Sequence, residues 1–172
     1  MSGSGDHNPP KYHIVSAAPP NITRLEYKHD DGGRESAGYH GKAKDCVCRA
    51  ITIAGQFSYE AIYKELAQGN ADQRNTKRSG VASGKWTADR GINTSRKWFK
   101  DFMVRMGFRW VSCMKIGEGC KTHLRAAELP MGRLVVRVSG HLCAVINGVI
   151  HDNHNPDRGG NRCVYGYWIA DS

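Results

Sequence analysis

No apolar run in the chain approaches the roughly 18 residues that a membrane-spanning helix needs. The longest, Leu134 to Val138 and Leu142 to Ile146, are strand-sized, so a membrane partner is not expected. The first residues, MSGSGDHNPPKYH, lack the basic start and apolar stretch of a secretory signal. The phosphate-cradling patterns G-x-x-x-x-G-K-[ST] and G-x-G-x-x-G are also missing, which removes support for a nucleotide cofactor. Cysteines never fall at C-x-x-C spacing nor histidines at H-x-x-x-H, and a lone Cys46-x-Cys48 is a weak zinc signal. Neither a metal nor another cofactor is therefore expected. Carboxylates are scarce: 16 Asp+Glu face 25 Lys+Arg, leaving a net charge of +9. Six cysteines suffice for three disulfides, but 172 residues fold without such staples. Reduced thiols in a cytosol are the expectation.

What remains is 40% hydrophobic and 24% charged, the balance of one globular domain. Residues 1–40 carry Pro9, Pro10, Pro19, Pro20 and the polar stretch KHDDGGRES, and read as a flexible N-terminal arm. The packed domain is expected over residues 41–172. There, Asp45 is placed to cap a helix running to about Gln56, with Val47, Ala50, Ile51 and Ala54 on one stripe. A second helix is expected from Ser58 to a stop at Gly69, and a third, capped by Thr94 or Ser95, carries the apolar face Trp98, Phe99, Phe102, Met103 and Met106. A strand at Phe108 to Ser112 and a short helix near Lys121 to Glu128 follow. Four more strands then read as Leu134 to Val138, His141 to Ile146, Val149 to His154 and Cys163 to Trp168. Helices first and an antiparallel sheet second predict an α+β fold, the early helix packed on the late sheet.

Asn147-Gly148 between two apolar runs is a strong signal for a two-residue hairpin with Ile146 opposite Val149. Counting outward places Cys143 opposite Asp152 and His141 opposite His154, all four on one face, with His151 and Asn153 on the other. Asp152 is then the diagonal neighbour of His141, with Cβ atoms roughly 7 Å apart, within reach of an imidazole to carboxylate hydrogen bond. A histidine held in this way is half of a nucleophilic site. Cys46 supplies the other half, because the first position of a helix places a thiol at unpaired N–H groups that favour thiolate. Asp45 opposes that charge and Arg49, one turn on, offsets it.

The order Cys46, His141, Asp152, with KDCVCRAITIA opening a helix and GHLCAVINGVIHDNHNP forming a hairpin, resembles the papain-like cysteine peptidase superfamily. The closing RCVYGYW adds to the likeness, which points to small bacterial and phage members. The resemblance implies a central helix bearing the nucleophile, packed on a sheet that carries the histidine and the acid. It implies a cytoplasmic cysteine hydrolase acting on peptide or protein substrates, with Cys46 as nucleophile, His141 as base and Asp152 as the residue that orients the imidazole. The Cys46 to His141 gap is shorter than the roughly 130–150 residues of the papain and cathepsin group. The family's glutamine, six residues before the cysteine, is His40 here, which becomes the candidate oxyanion donor beside the Cys46 backbone N–H.

Cys48 is a second candidate nucleophile, whereas Cys143 and Cys163, inside apolar strands, read as packing residues. Another class of function rests on the basic stretch over residues 70–105. Arg74, Lys77, Arg78, Lys85 and Arg90, with Arg96, Lys97, Lys100 and Arg105, form a surface suited to nucleic acid, on which Trp86 is placed to stack a base. In the enzyme reading the same charge borders the cleft and favours acidic substrates. A non-catalytic interaction module on the same fold is the third reading.

Overall fold

The computed structural model describes residues 23–73 and 87–171. Along the chain the main elements are Glu26–His29 (β1), Cys46–Gly55 (α1), Tyr59–Asp72 (α2), Lys97–Arg105 (α3), Phe108–Ser112 (β2), Arg133–Val138 (β3), His141–Ile146 (β4), Val149–Asp152 (β5) and Val164–Ala170 (β6). The strands form one sheet in the order β1-β5-β4-β3-β6-β2, antiparallel except where β1 runs parallel to β5. The fold is α+β, as the element order predicts. No helix among the described residues is long and apolar enough to cross a membrane.

Both faces of the sheet are covered. On one, Val135, Leu142, Ala144 and Trp168 pack against the three helices; on the other, Leu134, Val136, Cys143 and Val145 pack beneath Leu25, Leu124 and Leu129. Double burial explains why the central strands read as near-continuous apolar runs, LVVRV and LCAVI, and not as alternating ones. Burial likewise extends from Val47 to Ala54 around α1, which is the helix at the centre of the molecule.

The hairpin follows the expected register, with Ile146 opposite Val149, Val145 opposite Ile150 and Ala144 opposite His151. Asn147 and Gly148 take φ of 46° and 83°, the left-handed values that a type I′ turn demands at both positions. The strand ends at Asp152, so Asn153 and His154, expected inside it, leave the sheet.

Several expectations need correction. The domain begins well before Gly41: β1 pairs with β5 (Lys28 opposite His151, His29 opposite Asp152), and Leu25 is buried. What reads as a linker, KHDDGGRES, places its charges on partners, Asp30 on His151 and Arg34 on Asp45. Gly69 does not stop α2, which runs on to Asp72. A Cβ at this glycine would lie 2.3 Å from the Trp98 ring, so the residue makes room for an aromatic neighbour. Thr94 and Ser95 do not cap α3. They precede it in a turn where the Asn93 carboxamide oxygen accepts hydrogen bonds from the Ser95 N–H (3.1 Å) and Oγ (2.6 Å). Only a single 3₁₀ turn, Ala126–Glu128, forms within the expected short helix.

Cys163 is not a packing thiol. An isolated bridge pairs it with its neighbour His123, and this brings Cys120 within 5.9 Å (Cα to Cα), where the two cysteines form a disulfide. Trp86, Arg74, Lys77, Arg78 and Lys85, on which the nucleic-acid reading depends, lie outside the described residues.

Candidate active site

Three chain segments meet at one end of the sheet. Val138 pairs with His141 across a tight turn in which Gly140 takes a φ of 67°, so His141 is the first residue of β4. Asp152 is the last residue of β5, and α1, packed on β4, begins at Cys46. The His141 Nε2 lies 2.5 Å from the Asp152 Oδ2, which is the diagonal contact the hairpin register predicts. Nε2 being occupied, Nδ1 is the ring nitrogen left for the Cys46 thiol.

The electrostatics favour an ion pair. Burial works against the Cys46 thiolate, but hydrogen bonds from His141 and the Leu142 backbone N–H, with the charges of His141 and Arg49, outweigh it and hold the thiol below its ordinary value. Burial also works against a charged imidazole at His141, yet hydrogen bonds and charge from Asp152 and Cys46 raise its pKa to about 9. Both shifts favour thiolate beside imidazolium.

Asp152 is 2% exposed and fully engaged. Its Oδ1 accepts the Asn153 N–H at 2.7 Å and lies 3.7 Å from the Arg49 Nη2. Arg49 reaches Asp45 with its Nη1 and so joins the site to a second buried carboxylate. Asp45 stands at the N-cap position without capping, which corrects the expected role. Its carboxylate turns instead to Arg49, to the Arg34 Nε at 2.9 Å and to the Tyr59 hydroxyl at 2.6 Å. Two guanidiniums and a phenol offset the cost of burying this charge, and the first N–H groups of α1 keep no side-chain acceptor. These N–H groups, at the helix start that carries Cys46, are suited to receive an oxyanion.

A cleft of about 600 Å³ opens over Cys46 and His141, lined further by Lys44, Arg49, Arg137 and Asn153. His40, the other expected donor, does not line it. His40 is exposed on a neighbouring cavity, where its carbonyl accepts a hydrogen bond from the Arg34 Nη2 at 3.1 Å. Cys48 is fully buried, its sulfur 3.8 Å from the Tyr59 carbonyl, and burial pushes its thiol up to about 12. This excludes it as an activated nucleophile. Cys143 is also raised by burial, within the core beneath the sheet. The rings of His141 and His154 stand 4.9 Å apart, and with Asp152 they offer ligand atoms all within 4.8 Å of one another. His141 and Asp152 bind each other, and the His154 Nδ1 lies 2.7 Å from the Asn153 Oδ1.

Searches against family models, curated proteins and solved structures find no match to this chain. Functional reading therefore rests on the site itself. Sequence reasoning missed Arg34 and Tyr59, which lie outside α1 on either side of Cys46, and it missed the contact of Arg49 with Asp152. The helical i, i+4 spacing of Asp45 and Arg49 was the available signal for that network.

Proposed function

We propose that the protein is a papain-like cysteine-dependent amide hydrolase, a peptidase in its simplest form, with Cys46 as nucleophile, His141 as base and acid, and Asp152 as the orienting residue. The supporting observation is a helix-terminal thiol, held below its ordinary pKa, that faces an imidazole fixed by a buried carboxylate. The Cys46 thiolate attacks the amide carbonyl, and the oxyanion is received by N–H groups at the start of α1. His141 gives its proton to the departing amine as the C–N bond breaks, leaving a thioester on Cys46. Water then attacks the thioester while His141 takes its proton, which releases the acid and restores the pair. Asp152 keeps Nδ1 aimed at the sulfur and stabilises the charged imidazole.

The test is the pH dependence of iodoacetamide alkylation, mapped by peptide mass spectrometry, in wild type and His141→Ala. Cys46 is expected to label selectively well below the free-thiol value of about 8.5 and to lose that advantage in the variant. Equal labelling of Cys46 and Cys113, the other partly exposed free thiol, refutes the assignment.

A further inference from the structure

Beside the cleft lies a second, smaller cavity of about 220 Å³, enough for a single side chain. Its walls are aromatic and aliphatic: Trp168 and Trp110, whose ring centroids stand 5.2 Å apart, and Leu142. Gly166 makes this arrangement possible, since a Cβ there would come within 2.3 Å of the Trp110 ring. Cations sit on the same walls. Arg137, opposite both Leu142 and Gly166 in the sheet, and Lys100 on α3 both line the cavity.

Two features give these cations a purpose. Among the described residues, neither the cavity nor the adjoining cleft has an Asp or Glu in its lining. Among the described residues, no carboxylate pairs with Arg137 or Lys100, although Lys97, on the same helix as Lys100, is paired with Asp101. A half-buried arginine lining an open cavity without a counter-ion is a ready partner for an incoming anion. The cavity also adjoins the reacting residues: Leu142 lines it and lines the cleft beside Cys46 and His141 as well. Thr94 and Arg137 also line both spaces, which therefore adjoin.

We propose that this cavity is a specificity pocket that takes the side chain of an acidic residue, glutamate in preference to aspartate, flanking the bond to be cleaved. The methylenes of the side chain pack between Trp168, Trp110 and Leu142, and its carboxylate meets Arg137 and Lys100. Glutamate is preferred because its longer stem reaches the cations from a backbone lying in the cleft. This inference rests on the cysteine hydrolase reading and names the substrate class for it.

The test uses dipeptidyl chloromethyl ketones that differ only in carrying Glu or its neutral isostere Gln, placed next to the reactive ketone in one pair and one residue earlier in the other. Cys46 displaces chloride, and intact-mass spectrometry follows the resulting thioether. In wild type at low salt, the Glu probe is expected to react at least tenfold faster than the Gln probe at one of the two positions. In Arg137→Gln and in Lys100→Gln, a variant at an exposed site, the Glu to Gln ratio is expected to fall severalfold. Because each ratio is taken within one variant, a general change in thiol reactivity cancels. Equal Glu and Gln rates at both positions, with Cys46 still selectively alkylated by iodoacetamide, overturn the pocket and leave the hydrolase reading standing. Loss of selective iodoacetamide labelling in wild type overturns the hydrolase reading itself.

Discussion

Arg49 holds two buried carboxylates at once, and Arg49→Met separates that role from simple packing. The residue is 6% exposed, paired with Asp45 and 3.7 Å from Asp152. Methionine keeps much of the apolar stem and removes the charge. Breaking a buried pair costs about 3–5 kcal/mol, because the surviving ion stays buried without its partner. Asp45 retains Arg34 at 2.9 Å and Tyr59 at 2.6 Å, so the loss is expected near the low end, about 3 kcal/mol. Urea unfolding at pH 7, followed by tryptophan fluorescence, measures it. Asp45→Asn in the Arg49→Met background is expected to regain part of the loss, since it removes the stranded charge. Arg49 also helps hold the Cys46 thiol down, so the same variant moves the alkylation midpoint of Cys46 to higher pH. A loss under about 1 kcal/mol, the level of an exposed ion pair, would refute the network.

The His141 to Asp152 pair makes stability pH-dependent in one direction. A raised native imidazole pKa contributes stability that is fully present below the free value of about 6.5 and is lost as pH rises through the native value, about 9 beside the thiol. Cys46, shifted down, titrates in the opposite sense, so the measurement belongs in a Cys46→Ala background. There, replacing His141 by Gln is expected to flatten the fall in urea midpoint above pH 6.5; an unchanged slope contradicts the pair. Thiol counting tests the disulfide separately: denatured without reductant, the protein is expected to show Cys46, Cys48, Cys113 and Cys143 as free thiols, with Cys120 and Cys163 appearing only after reduction.

The hairpin was legible because local chemistry fixed it. Asn147-Gly148 allows one favoured turn, that turn sets the register, and the register places Asp152 beside His141. The nucleophile's helix was legible for a similar reason, its stripe of Val47, Ala50, Ile51 and Ala54 lying within consecutive turns. The N-terminal segment was not. Strand β1 is only EYKH, exposed along its length, with no apolar alternation, and its place depends on the open edge of β5 more than 100 residues away. Asp45 misled in another way. Its position and residue type suit a cap, and only the tertiary arrival of Arg34 and Tyr59 redirects the carboxylate. The disulfide was hidden for the same reason, since a bridge over a separation of 43 residues depends on a loop path that no local pattern sets.

The choice among the free thiols follows from their surroundings and not from residue type. Cys46 and Cys48 are two positions apart on α1, about 200° around the helix, so one faces the cleft and the other the core. Cys48 looks toward the Tyr59 carbonyl, and there burial and the Asp45 charge outweigh the help of Thr52, Tyr59 and Arg49. Cys143 lies close enough to feel the charges of Asp152 and Cys46, yet the sheet turns it into the opposite core and both charges oppose its ionisation. Cys46 is also largely buried, but there the hydrogen bonds from the His141 imidazole and the Leu142 N–H, with the charges of His141 and Arg49, outweigh burial. Desolvation disfavours all three thiolates, and directed hydrogen bonds reverse the outcome at one. Exchanging the residues at positions 46 and 47, as Cys46→Val with Val47→Cys, would therefore move the thiol by one residue and lose the low-pH alkylation by iodoacetamide, even though the helix terminus stays in place. Retained low-pH labelling at position 47 would instead assign the activation to the helix terminus alone.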